Sequence, residues 1–262
     1  MTTNPNAIPI GPGNFCWHEL HAGDLEAACA FHAALFGWRV EVLEMPDPPY
    51  RLFIRGEQAV GGAIAAAAGR PPGMPASWRS YVAVEDVAAA ASRAAALGGE
   101  VRVPPTTTPG GTFALAIDPG GAEIGLFKGG DGVNPTGVGA VMHNELLAPD
   151  LPTSRRFYEG LFDWTSSEHD MGSLYVVFHG PGDGSGPGPM RAGAMAPPPD
   201  AKLDRNMWLP YVQVESCDAI ATRVGELGGR VALPPTDIPT VGRICVFTDP
   251  QWATLAVWTP AS

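Results

Sequence analysis

The chain contains one pattern written twice. Setting residues 15–20, Phe-Cys-Trp-His-Glu-Leu, on residues 141–146, Val-Met-His-Asn-Glu-Leu, superposes Glu19 on Glu145, Asp24 on Asp150 and Phe31 on Phe157. The same offset of 126 residues lays Leu35-Phe36-Gly37-Trp38 on Leu161-Phe162-Asp163-Trp164. Further along, Leu97-Gly98-Gly99 falls on Leu227-Gly228-Gly229, and Asp118-Pro119 falls on Asp249-Pro250. The offset drifts slowly, so small insertions separate two copies of one domain. A period this long exceeds any solenoid unit, so each copy is expected to own a core.

Within the first copy, residues 15–21 read as a strand. Asp24 then caps an amphipathic helix carrying Phe31, Leu35 and Phe36 at helical spacing, and Gly37 ends it. Strands are expected at 38–43, 50–55 and 59–67, bounded by turn-forming runs at 46–49 and 69–73. A strand at 80–84, an alanine-rich helix at 87–97 and strands near 101, 113–117 and 123–127 complete a second βαβββ unit. The second copy repeats the plan, with helices at 153–162 and 217–227 and strands near 174–178, 191–195, 209–214 and 255–258. The Gly/Pro/Ser/Asp run at 180–189 reads as a flexible hairpin loop. The expected organisation is a tail at 1–13, a first domain at 14–128, a linker at 129–139 and a second domain at 140–260.

The chain has 262 residues, 45% hydrophobic and 16% charged, enough apolar mass for two cores. No apolar run approaches the ~20 residues of a membrane span, and the first dozen residues lack the pattern of a signal peptide. Cytoplasmic placement is the expectation, with no membrane partner. A net charge of −11 argues against a nucleic-acid partner. Cys16, Cys29, Cys217 and Cys245 show no close metal spacing and read as buried thiols. The glycine pairs at 110–111 and 120–121 lack the following helix of a phosphate loop.

Four βαβββ units in tandem, opening on Trp17-His18-Glu19-Leu20 and a helix ending Leu35-Phe36-Gly37-Trp38, resemble the vicinal oxygen chelate superfamily. That superfamily contains glyoxalase I, extradiol dioxygenases and bleomycin-resistance proteins. More narrowly, the chain is similar to two-domain actinobacterial members labelled hydroxylase or glyoxalase-like, through Leu-Gly-Gly-x-Val and Ile238-Pro239-Thr240-Val241-Gly242-Arg243. The resemblance implies an α+β fold in which paired units form open, eight-stranded, barrel-like cups, two per chain, each able to hold a ligand. It does not fix whether the cups form within or between the repeats.

The family's metal-ligand positions fall on Trp17, Arg79 and Gly125 in the first copy and on His143, Leu209 and Ala256 in the second. One of these six is an imidazole, short of the three or four N, O or S ligands of a tight centre. The expectation is therefore no cofactor, with a divalent metal near His143 and Glu145 as the alternative. Strand alternation puts Trp17, Glu19 and His21 on one face and His143, Glu145 and Leu147 on the equivalent one. A carboxyl in an apolar cup exchanges protons near neutrality. Glu19, Glu145 and His143 are thus catalytic candidates, and Trp17, Trp78, Arg79, Trp208 and Arg243 are ligand-binding ones; Glu19 and Glu145 serve equally well as structural acceptors.

The expected function is a metal-independent enzyme of secondary metabolism, acting on a small aromatic or oxygenated metabolite by an isomerisation, hydration or lyase-type step. The alternatives are a sequestering protein like the bleomycin-resistance branch, and a residual metal enzyme in the second domain. A small molecule is the expected partner, bound by a monomer or homodimer.

Overall fold

The computed structural model describes residues 8–44, 49–66, 75–130, 132–182, 184, 186–198, 201 and 203–261. The turn-forming residues 46–48 and 69–73 and most of the N-terminal tail lie outside them. Each repeat builds one eight-stranded sheet from two βαβββ units. In the first, β2 (Phe15–Ala22), α1 (Leu25–Phe36), β3 (Arg39–Leu43), β4 (Tyr50–Arg55) and β5 (Gln58–Ala65) form one unit. β6 (Ser77–Ala83), α2 (Val87–Ala96), β7 (Glu100–Thr108), β8 (Gly111–Ile117) and β9 (Glu123–Gly129) form the other. The second repeat follows suit with β11 (Val141–Leu147), α3 (Leu151–Phe162), β12 (Thr165–Asp170), β13 (Leu174–His179) and β14 (Met190–Met195). It closes with β15 (Met207–Gln213), α4 (Cys217–Glu226), β16 (Arg230–Ile238), β17 (Gly242–Thr248) and β18 (Thr254–Pro260).

The strand order is β3-β4-β5-β2-β6-β9-β8-β7 in one sheet and β12-β13-β14-β11-β15-β18-β17-β16 in the other, so each cup forms within a repeat and remains open. The units join through the antiparallel pairs β2·β6 and β11·β15. The polar segment β12 carries no apolar alternation and is a strand because it pairs along its whole length with β13 at the sheet edge. Residues expected as a plain tail and linker pair with each other, β1 (Ile8–Pro9) running antiparallel to β10 (Val133–Asn134).

Each helix starts at a side-chain cap. Asp24, Asp86, Asp150 and Ser216 accept hydrogen bonds from the backbone N–H three residues on, satisfying donors the first turn leaves open. Gly37 ends α1 in the left-handed region, and Asp163 takes that conformation at the end of α3.

The expectation that each repeat owns a core is corrected. α1 packs between its own sheet and α4, β17 and β18 of the other repeat, in one cluster holding Phe31, Phe53, Trp78, Val224, Phe247 and Leu255. α3 lies symmetrically against α2, β8 and β9, with Phe157 and Leu161 beside Ala94, Ala116 and Ile124. The apolar pattern says that a helix face is buried but not by which partner. The Leu-Gly-Gly motif now has a physical reason. A Cβ at Gly99 would press on the Phe157 ring of the other repeat, and one at Gly229 would press on Phe31. Trp38 and Trp164 likewise donate from their indole N–H groups across the junction, to the carbonyls of Gly139 and Gly13.

Because these apolar faces complete each other, a fragment of residues 14–129 alone is expected to self-associate or to lose cooperative unfolding. Size-exclusion chromatography and urea unfolding check this, and a stable monomeric fragment with a sharp transition contradicts it.

Candidate functional site

Each cup is organised around one carboxylate and two tyrosine hydroxyls. In the first, Tyr81 donates to Glu19 Oε1 at 2.9 Å, and Tyr50, which also hydrogen-bonds Glu19, accepts from Trp17 Nε1 at 2.7 Å. In the second, Tyr211 donates to Glu145 Oε1 at 2.9 Å, Tyr175 also hydrogen-bonds Glu145, and His143 Nε2 lies 3.2 Å from the Tyr175 hydroxyl. Strand pairing sets this geometry, because β2 and β6 place Trp17 opposite Tyr81, and β11 and β15 place His143 opposite Tyr211. Glycine makes room for it. A methyl group at Gly62 would overlap the Tyr50 hydroxyl and one at Gly193 would overlap that of Tyr175.

Around this common cluster the cups diverge. The first holds an ion network in which Arg79 pairs with Glu123 at 2.7 Å and lies 3.7 Å from Glu19, while His21 Nε2 meets Glu19 at 2.5 Å. In the second cup the repeat-equivalent positions of His21, Arg79 and Glu123 are Leu147, Leu209 and Thr254. Leu147 and Leu209 join Ala256, Met195, Ile244, Val246 and Trp258 in one apolar lining.

The electrostatics diverge accordingly. Burial pushes the Glu19 carboxyl up, but the His21 hydrogen bond and the Arg79 charge outweigh it and hold the group below the usual carboxylate range. Burial also pushes Glu145 up, and the two tyrosine hydroxyls only partly offset it, so this carboxyl sits above its ordinary range. Burial lowers His143 to about 4, so it is a neutral imidazole at pH 7. Tyr175 and Tyr211 are pushed up by burial and by the neighbouring Glu145 charge, which makes them donors and not phenolates.

The structure brings Trp17, Glu19, Arg79, His143 and Glu145 to the cup faces. It does not bring Trp78, Trp208 or Arg243 there. Trp78 and Trp208 precede cup-facing residues by one position, so alternation turns them inward. Trp78 packs against His32 and Phe53, and Trp208 donates to Tyr158 at 2.8 Å. Arg243 is an outer-surface residue paired with Asp218 and Asp237, both at 2.8 Å. The four cup tyrosines escape a residue-by-residue reading, although aligning the repeats sets Tyr50 on Tyr175 and Tyr81 on Tyr211.

The chain belongs to the Glyoxalase/Bleomycin resistance protein/Dioxygenase superfamily, whose family model matches residues 17–126 and 140–255. It is 32% identical over 253 residues to "Putative glyoxylase CFP32" of Mycobacterium bovis, covering 94% of both chains. Over 139 residues, 46% of each chain, it is 32% identical to "Anthracycline biosynthesis protein DnrV" of Streptomyces peucetius. Among solved structures, the Mn(II)-bound glyoxalase from Novosphingobium aromaticivorans superposes with a TM-score of 0.61 at 15% identity, covering 95% of this chain and 82% of that one.

That last comparison corrects the expectation of no cofactor, because a solved structure with this fold is Mn(II)-bound. The residues present were tested against such a group. In the first cup the Arg79 guanidinium already lies between Glu19 and Glu123. In the second, His143 and Glu145 are the donors at hand, beside Leu209 and Ala256. Among the described residues no group of three or more His, Cys, Asp and Glu side chains is placed to hold a metal ion. The set falls short of the three or four protein ligands of a tight transition-metal centre. No helix among the described residues is long and apolar enough to cross a membrane.

The buried histidines give this fold an acid limit. Burial holds His18, His32 and His143 near 4, below the ordinary histidine value, so the unfolded chain binds more protons between pH 4 and about 6.5. Stability therefore falls as pH drops through that window, by up to about 3 kcal/mol per residue. Glu145, with a raised value, acts oppositely and loses its contribution as pH rises through its folded pKa. Urea unfolding at pH 7 and pH 5 is expected to show a lower midpoint at pH 5; equal midpoints contradict the assignment.

Proposed function

We propose that the chain acts on a small, uncharged aromatic or oxygenated molecule held in the second cup, with Glu145 exchanging a proton with it. The coordinated replacement of His21, Arg79 and Glu123 by Leu147, Leu209 and Thr254 carries this reading. It takes three ionisable neighbours away from a matching glutamate–tyrosine cluster, leaving an apolar cup whose one carboxyl burial holds above its ordinary range. The protonated carboxyl donates to a ligand carbonyl or hydroxyl, and the carboxylate removes a proton from it. Tyr175 and Tyr211 hold the group in place and support its anionic form, and His143 orients Tyr175. The first cup, its carboxylate held among Arg79, His21 and Tyr81, serves structure.

An isomerisation, hydration or lyase-type step fits this chemistry. The relative named for anthracycline biosynthesis supports an aromatic, oxygenated substrate from secondary metabolism. Sequestration without turnover is the competing reading, and the apolar lining of the second cup favours it equally at the level of binding.

Aromatic ketones and phenols are the probes. Glu145→Gln is expected to leave ligand binding within about threefold of wild type and to lower kcat by about 10²-fold or more, whereas Glu19→Gln leaves the chemical step unchanged. A Glu145→Gln protein that binds more weakly, from a wild type that converts nothing, establishes sequestration instead.

A further inference from the structure

At the N-terminal ends of β2 and β11 the repeats line a partly open cavity of about 110 Å³. Its walls come in repeat-related pairs, Trp17 with His143, His18 with Asn144, and Val60 with Arg191. Only the last pair changes charge. Arg191 sits where the β13·β14 ladder shifts register, and its Nε is buried with no hydrogen-bond partner among the described residues. A Cβ at Gly180 would collide with its guanidinium, so the side chain lies pressed on the backbone in a fixed place. Among the described residues it forms no ion pair. A half-buried cation without a counter-charge is costly unless an anion meets it, and a guanidinium suits a carboxylate.

A second donor lines the same space. Asn144, 4% exposed, accepts at Oδ1 from His18 Nε2 at 2.9 Å and from Ser80 Oγ at 3.0 Å. Its carbonyl oxygen is thus used twice, while its amide nitrogen has no partner among the described residues. Phe15, Val60 and Met142 make the remaining wall largely apolar.

We propose that the cavity between the repeats is a binding site for a small organic carboxylate, its charged end on Arg191 and the Asn144 amide and its short apolar body against Phe15 and Val60. The space is smaller than the ~150 Å³ that holds benzene, and a carboxylate of roughly two to four carbons matches it. This site is distinct from the second cup, and its occupancy is tested without any assumption about that cup's chemistry. It touches the cup through one residue, His143, which lines the cavity and meets Tyr175.

Sodium propionate is the probe, propionamide its uncharged counterpart and benzoate the size control, followed by calorimetry and by the His143 imidazole signals in NMR. Propionate is expected to bind wild type and shift the His143 signals, with propionamide and benzoate at least about tenfold weaker. Arg191→Val, which installs the first-repeat residue, is expected to weaken propionate by about tenfold or more. Val60→Phe, which fills the cavity and leaves the cation, abolishes binding and covers the case of an Arg191 variant that fails to fold. Absence of propionate binding to wild type, equal affinity for propionamide, or binding unchanged in either folded variant overturns the proposal.

Discussion

Everything in this molecule depends on the reciprocal burial of α1 and α3. Each helix leaves its own repeat's apolar face incomplete and closes a core that the other repeat supplies, Phe31 against Gly229 and Phe247, Phe157 against Gly99. Truncating either phenylalanine removes contacts from both repeats at once, a loss of about 3–5 kcal/mol for a buried aromatic. The same packing turns the helices inward and the concave faces of both sheets outward. The two cups therefore face away from the shared cores and can differ.

They differ by a small number of charges. Glu19 and Glu145 occupy the same strand position and receive the same pair of tyrosine hydroxyls. What separates them is the guanidinium and imidazole that surround the first and the leucines that replace these around the second. Exchanging charged neighbours for apolar ones moves the same carboxyl from below its ordinary range to above it, with no change of fold. The junction carries a similar asymmetry. Tyr158, Asp118, Asn206, Ser154 and Trp208 form a closed hydrogen-bond network at one end. At the other, His32, Ala76 and Ala28 take the corresponding places of Tyr158, Asn206 and Ser154, and His32 Nε2, Trp78 Nε1 and Asp249 Oδ2 have no partner among the described residues.

Much of this was legible in the sequence, for reasons that can be named. The repeat fixed four βαβββ units, and period-two alternation put Glu19 and Glu145 on the faces that prove to be cups. Alternation also held the information that Trp78 and Trp208 turn inward, one position before Arg79 and Leu209, but aromatic character drew them to the ligand. The tyrosines were hidden because a lone Tyr in a strand is unremarkable; their meaning lies in their recurrence together with Gly62 and Gly193. Arg243 was misplaced because its partners, Asp218 on α4 and Asp237 across the β16–β17 hairpin, meet it only once helix and hairpin have folded together. The exchange of cores between repeats left no trace in apolar periodicity, since either partner satisfies the same pattern.

The two cups turn on a pair of matched carboxyls whose surroundings shift them in opposite directions. Side-chain carboxyl NMR of selectively ¹³C-labelled glutamate, titrated with pH and assigned through Glu19→Gln and Glu145→Gln, measures both shifts directly. Glu19 is expected to titrate below the ordinary glutamate range and Glu145 above it. Two coincident titrations, or the reverse order, would contradict this.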